Sequence, residues 1–390
     1  MSRKGRKSGF CIHSSLCPGC PQGESPYPEQ LAWKRGLVKD AFLRAGMEVD
    51  VEEIAPAIKR EGYRTSSKLP LARGRKGVAV GVYKRSTHSV VDIPRCVVHH
   101  PLINRAANAL RYTLALAPGM VSQGRGGEGW MRYAVFQVSA AEEALLLTLV
   151  TRSGDLDGTL LSLVARLREV VPEISGVVRN INDSEGNEIL GEEYKTLWGE
   201  GHISETFGEV TLLASTGVFL QANRAEAARV YAAGVELLTP MPEERALDLY
   251  CGAGGFAFHL APKVAEVVGI EVNPRSIKDA EATAEDGGIT NSRFYADVVE
   301  ERLPELIAEG YFAEIVTMNP ARKGAEPEAI AALRQMAPRA ILYLSCNPET
   351  LARDAALLTA DGLYKIDLVR PYDFFPHTDH IETLALFTRK

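Results

Sequence analysis

A handful of side chains in this 390-residue sequence are placed to do chemistry, and one cysteine stands out among them. Cys346 ends the apolar run Ala340-Ile341-Leu342-Tyr343-Leu344-Ser345 and precedes Asn347, Pro348 and the helically spaced Leu351, Ala355 and Leu358. That order predicts a thiol at a strand's carboxyl end, facing a helix that Asn347 caps and Pro348 opens. The partial positive charge at such a helix start favours thiolate over thiol and suits a nucleophile; a buried cysteine packed as a small hydrophobe is the alternative. Cys11, Cys17 and Cys20, spaced C-x5-C-x2-C, together with the solitary Cys96, supply four thiolates for a [4Fe–4S] cluster or a zinc ion. Near the C-terminus, Phe374-Phe375-Pro376-His377-Thr378-Asp379-His380-Ile381-Glu382-Thr383 offers three proton acceptors, His377, His380 and Glu382, which residue type alone does not separate.

The elements that must carry these residues follow an α/β pattern from about residue 213 onward. An alanine-rich helix through Ala225 to Leu238 stops at Pro240, and Ala246 to Tyr250 reads as a strand. Next come the glycine turn Cys251-Gly252-Ala253-Gly254-Gly255, a helix from Phe256, and a strand, Val267 to Glu271, that ends on an acid. Further strands are expected at Arg293 to Asp297, Ala313 to Pro320, Ala340 to Ser345 and Ile381 to Thr388, which makes a Rossmann-like, doubly wound sheet. Glycines after the first strand admit a cofactor to the backbone, and Glu271 is placed to accept hydrogen bonds from ribose hydroxyls. The turn is G-x-G-G and not the full dinucleotide fingerprint, which favours an adenosyl over a nicotinamide cofactor; Asp297 is either a contact to its adenine or a surface acid. Asn319-Pro320-Ala321-Arg322 falls at another strand end, with arginine where amino-group methyltransferases carry an aromatic residue, which argues against chemistry on an exocyclic nitrogen. A thiolate offers a different route: adding to carbon 6 of a pyrimidine, it makes carbon 5 nucleophilic enough to take a methyl group, and a base must then remove the carbon 5 proton.

Upstream, residues 98–212 read as a compact α+β unit with strands at Met131 to Val138, Glu143 to Arg152 and Gly176 to Asp183, and an amphipathic helix marked by Leu160, Leu163, Val164, Leu167 and Val171. Residues 1–97 form a basic segment that also carries the clustered cysteines. Between Lys59 and Arg85, nine cations (Lys59, Arg60, Arg64, Lys68, Arg73, Arg75, Lys76, Lys84 and Arg85) face Glu61 alone, and Arg3, Lys4, Arg6 and Lys7 add to them. Such a block can track phosphates even in a chain of net charge -6. The absence of any apolar run near the ~20 residues of a membrane span, and of a signal-peptide core, points to a cytoplasmic protein.

Six motifs together resemble the S-adenosylmethionine-dependent RNA uracil-5-methyltransferases: Phe219-Leu220-Gln221-Ala222-Asn223, Asp248 to Phe256, Gly269-Ile270-Glu271, Asn319 to Gly324, Ser345-Cys346-Asn347-Pro348 and Phe375 to Glu382. The N-terminal cysteines, the Asn-Pro start of the fourth motif and the lack of a preceding RNA-binding barrel look most like the branch acting on 23S ribosomal RNA. The resemblance spans nearly the whole chain. It implies that Cys346 is the nucleophile and Glu382 the proton-abstracting base, and that Gln221, Tyr250, Glu271 and Asn319 surround S-adenosylmethionine. It further implies that Cys11, Cys17, Cys20 and Cys96 hold a [4Fe–4S] cluster and that the partner is structured RNA; no obligate protein partner is evident in the sequence, which points to a monomer. Ala321 for the second proline, Ala222 for threonine or valine and Tyr250 for phenylalanine depart from the usual pattern without removing a group the chemistry needs. Methylation of transfer RNA is the alternative within enzymes, and a non-catalytic RNA-binding protein with a vestigial cofactor site is the alternative outside them.

Overall fold

The computed structural model describes residues 9–74, 77–122 and 128–390, so the basic residues at positions 1–7 and Arg75 and Lys76 lie outside the described residues. Helix α1 (Tyr27–Arg44) comes first along the chain. After it follow β1 (Ser66–Gly74), β2 (Gly77–Tyr83), β3 (Val90–Asp92), α2 (Pro101–Ala115), β4 (Met131–Ser139), β5 (Ala144–Thr151), α3 (Asp157–Val170), β6 (Ile174–Ile181) and β7 (Glu193–Gly199). The hairpin β8 (His202–Phe207) and β9 (Val210–Ser215) precedes α4 (Arg224–Leu238), β10 (Arg245–Leu249), α5 (Gly255–Leu260), β11 (Glu266–Glu271), α6 (Pro274–Asp286) and β12 (Ser292–Ala296). The chain closes with α7 (Val299–Ala308), β13 (Ile315–Met318), α8 (Pro327–Met336), β14 (Ala340–Ser345), α9 (Pro348–Thr359), β15 (Tyr364–Tyr372) and β16 (Glu382–Arg389).

Two compact units result, and they interleave. The first holds Met1–Ser25, Lys59–Glu205 and Ser215–Gly217; the second holds Pro26–Ile58, Thr206–Ala214 and Val218–Lys390. The sequence suggests consecutive stretches divided at 97 and 212, whereas the chain enters the second unit with α1, leaves it to build the first, and returns. The reason is non-local: Val38, Ala41 and Phe42 of α1 are buried in the same core as residues of α7, α8 and α9.

In the first unit the strand order is β3-β2-β1-β4-β5-β6-β7, antiparallel except where β5 runs parallel to β6. The crossover α3 buries Leu160, Leu163, Val164 and Leu167, the apolar stripe its spacing predicts, and packs with α2 over the same core as β4 and β5.

In the second unit the order is β12-β11-β10-β13-β14-β16-β15, with β10 to β14 parallel and β16 antiparallel to both β14 and β15. The Rossmann-like α/β expectation is therefore met here. Alternate residues of the central strands enter opposite cores: Leu247, Val316, Ile341 and Tyr343 meet α1, α7, α8 and α9 on one face, while Ala246, Ile315, Ala340, Leu342 and Leu344 meet α4, α5 and α6 on the other. Burial on both faces is why these strands read as continuous apolar runs.

Candidate active site

The site grows out of a strand register. Strand β14 pairs with β16 so that Leu344 lies opposite Leu384 and Ser345 opposite Thr383. One more step of that antiparallel register sets Cys346 across from Glu382, and residues directly opposite project from the same face of a sheet. Asn347 caps α9 as its sequence predicts, its side chain accepting from the Glu349 N–H at 3.2 Å, so the thiol does stand at a helix start.

Glu382 is 4% exposed, and its Oε2 has no hydrogen-bond partner among the described residues. Burial pushes its carboxyl up to about 8, and the Arg322 guanidinium pulls the other way. At Cys346 the electrostatics differ from the sequence expectation of a thiolate favoured by the helix start. Burial raises the thiol pKa, the Glu382 carboxylate raises it further, and Arg322 opposes both through its charge and a hydrogen bond to the sulfur. The helix field is a local effect, whereas burial at the sheet edge is set by the whole fold.

Arg322, which the sequence shows as an arginine in place of an aromatic, lies beside the Cys346 sulfur. Its backbone is gripped by α9: the Asn347 Nδ2 and the Thr350 hydroxyl donate to the Arg322 carbonyl at 3.0 and 3.4 Å. Its NH2 lies 3.0 Å from His380 Nδ1. The two histidines thus separate from Glu382: His380 is exposed and meets Arg322, and His377 is buried against Gln30.

The glycine turn lies beyond β10, as expected. Gly252 and Gly254 take φ of 56° and 89°, in the left-handed region where glycine is favoured. A Cβ at Gly254 would lie 2.5 Å from the Phe258 ring, while one at Gly252 would meet the Phe219 carbonyl at 3.9 Å, an ordinary contact. Glu271 accepts from the Gly252 N–H at 3.2 Å and from the Asn273 N–H at 2.9 Å, which fixes the acid at the mouth of the turn. Beneath it, buried Asp248 accepts from Thr317 Oγ1 at 2.8 Å and the Ala257 N–H at 3.0 Å, tying β10 to β13 and α5. Gln221 is buried, and Asn319 is half-buried with its N–H donating to the Leu249 carbonyl at 3.3 Å. Tyr250 sits at φ 57° with its hydroxyl donating to Glu300 at 2.8 Å, so it offers its ring and not its hydroxyl.

The four N-terminal thiols all belong to the first unit. Among the described residues, no three or more His, Cys, Asp or Glu side chains are arranged to hold a metal ion as they stand. The thiols nevertheless lie within electrostatic reach of one another: burial first, then Cys96, Cys17 and Cys11, push Cys20 up to about 12. Backbone N–H groups of His13 and Gly19 point at the sulfurs of Cys11 and Cys17, each at 3.4 Å, and Asn104 of α2 brackets Cys96 through both its N–H and its carbonyl at 2.8 and 2.9 Å.

A Rossmann-like sheet whose glycine turn is hydrogen-bonded to an acid at the end of the next strand is an architecture that accommodates nucleoside cofactors. Comparison with known proteins gives the class a family. The family described as tRNA (Uracil-5-)-methyltransferase matches residues 209–390. An uncharacterized RNA methyltransferase of Geobacter sulfurreducens is 35% identical, over 97% of this chain and 77% of the relative. Another, from Thermosynechococcus vestitus, is 33% identical over 97% and 83%. Among solved structures, the Pyrococcus abyssi tRNA (uracil-54, C5)-methyltransferase in complex with S-adenosyl-L-homocysteine is similar with a TM-score of 0.78 and 26% identity, covering 95% of this chain and 85% of that one. The chain belongs to the S-adenosylmethionine-dependent RNA uracil-5-methyltransferases and is an enzyme.

Proposed function

We propose that this enzyme methylates carbon 5 of a uridine in 23S ribosomal RNA through a covalent bond to Cys346 that Glu382 resolves. The observation that carries this reading is the buried Glu382, one of whose oxygens has no partner among the described residues, one step beyond the Ser345–Thr383 pair and within electrostatic reach of the Cys346 thiol. S-adenosylmethionine, when bound, supplies the methyl group; the left-handed glycine turn and the position of Glu271 against the Gly252 N–H fit such a ligand, with Gln221, Tyr250 and Asn319 completing its surroundings. Cys346, its thiol proton released to solvent, adds as thiolate to carbon 6 of an extruded uracil, Arg322 stabilising the charged sulfur. After methyl transfer, Glu382 takes the proton from carbon 5, and the thiolate leaves as the ring regains its double bond. A carboxyl near 8 is a stronger base once ionised than an ordinary glutamate, and its ionised fraction grows as pH rises towards that value.

Methylation of transfer RNA is the second reading, favoured by the Pyrococcus abyssi structure, whose own substrate is a transfer RNA. Mapping 5-methyluridine in both RNAs, from cells with and without the protein, decides between them; loss confined to transfer RNA sinks the ribosomal assignment. On the enzyme itself, Cys346→Ala is expected to abolish methylation and adduct, and Glu382→Gln to accumulate a denaturation-stable enzyme–RNA adduct. Near-normal turnover by Cys346→Ala would reject the covalent mechanism.

The same reading extends to a [4Fe–4S] cluster on Cys11, Cys17, Cys20 and Cys96, and to a monomer acting in the cytoplasm. Four clustered cysteines, two of them met by backbone N–H donors, form a donor set whose thiolates a cationic cluster core would stabilise. Anaerobically purified protein should be brown, with about four iron atoms per chain; a colourless, zinc-loaded protein would overturn the cluster.

A further inference from the structure

His377 has a φ of 70°, an uncommon backbone conformation for a residue with a side chain, five positions before Glu382. Strain of this kind persists only where neighbours over-determine it. The neighbours here come from α1. Gln30, 1% exposed, accepts from the His377 N–H through Oε1 at 2.9 Å and presents its Nε2 to the ring Nδ1 at 3.3 Å. One turn further along, the fully buried Lys34 donates to Asp373 Oδ1 at 2.6 Å and to the Phe375 carbonyl at 2.9 Å, and Tyr27 donates to Asp373 Oδ2 at 2.9 Å. One face of α1 therefore holds Asp373, Phe375 and His377 in succession. From there the segment continues to Thr378, whose hydroxyl donates back to the Phe375 carbonyl and accepts from the His380 N–H, and to His380 beside Arg322.

We propose that Gln30 is a positioning residue for the methyl transfer: by holding His377 in its left-handed turn it sets the segment that aims Glu382 at the reacting carbon and His380 at Arg322. This rests on the assignment of Cys346 and Glu382 given above. Its signature is specific to the second half of the reaction. With the clamp gone, Cys346 still adds to uracil and the methyl group is still transferred, but proton removal slows and adduct accumulates.

The test compares wild type, Glu382→Gln, Gln30→Met, His377→Gly and the Gln30→Met/His377→Gly double variant on unmodified 23S ribosomal RNA and bulk transfer RNA with S-adenosylmethionine. The readout is the ratio of denaturation-stable adduct to released methylated RNA, which the fraction of folded protein does not move. Gln30→Met, close to glutamine in volume, is expected to raise the ratio roughly tenfold, the scale of a small misplacement of a catalytic group. Glycine adopts a φ of 70° without strain, so His377→Gly should make the clamp dispensable and return the double variant towards the wild-type ratio. A wild-type ratio in Gln30→Met, or a double variant no better than Gln30→Met, overturns the proposal while Glu382→Gln still accumulates adduct. Should Glu382→Gln itself turn over normally without adduct, the catalytic assignment fails instead.

Discussion

Glu382 carries a cost that its chemistry explains. An ordinary glutamate titrates near 4.3 in an unfolded chain, and this one is pushed up to about 8 in the fold. Between those values the folded state holds a proton that the unfolded state gives up, so stability falls as pH rises through that window and is least impaired below it. Replacing the acid by glutamine removes the dependence. Glu382→Gln should therefore be more stable than wild type above about pH 8, by up to a few kcal/mol, with the advantage vanishing near pH 4. Chemical denaturation across that range checks this; parallel stability curves for the two proteins would show that the burial does not act as described. Activity should run the opposite way, since the base must be ionised: turnover of the wild type is expected to rise with pH towards about 8.

At the scale of elements, the pairing of α1 with the segment before β16 is an ion pair with both side chains at 0% exposure. Removing one partner of such a pair leaves the other as an uncompensated buried charge, at a cost of about 3–5 kcal/mol. Lys34→Met is expected to lower the thermal midpoint sharply, and Lys34→Met/Asp373→Asn to recover much of the loss. A double variant as unstable as the single would mean that packing, not charge, dominates there. These residues also mark where the sequence stops being legible. The strand ending at Cys346, the Asn347 cap, the glycine turn and the acid ending β11 follow from local spacing, because each is set by neighbours within a few positions. Lys34 looks like any lysine on a helix, and its partner stands 339 residues away. The direction of the Cys346 shift was hidden for the same reason: helix position is local, while burial and the approach of Glu382 come from the sheet register. Arg322 was visible as a residue but not as a neighbour of the sulfur.

For the whole molecule, the α/β catalytic unit was readable because its parallel strands are buried on both faces and alternate with helices. The first unit is legible in part: β4, β5, α3 and β6 lie where their periodicities place them, while α2 and the β1–β2 hairpin are elements the sequence reading does not assign. Since a ligand that binds only the folded state stabilises it, S-adenosylmethionine at about a hundred times its dissociation constant should add about 2.7 kcal/mol. Calorimetry with and without the cofactor measures this, and an unmoved melting transition would count against a formed cofactor site.

The interleaved chain has a consequence for how the enzyme is made. Helix α1 is made long before Asp373, and its buried lysine finds that partner only when the 339 residues between them have been synthesised. Throughout synthesis that helix carries an unneutralised cation on the face destined for the interior. The catalytic sheet is thus closed by joining its first helix to its final strands, a slow, long-range step, and no fragment starting after residue 58 contains what is needed to complete it.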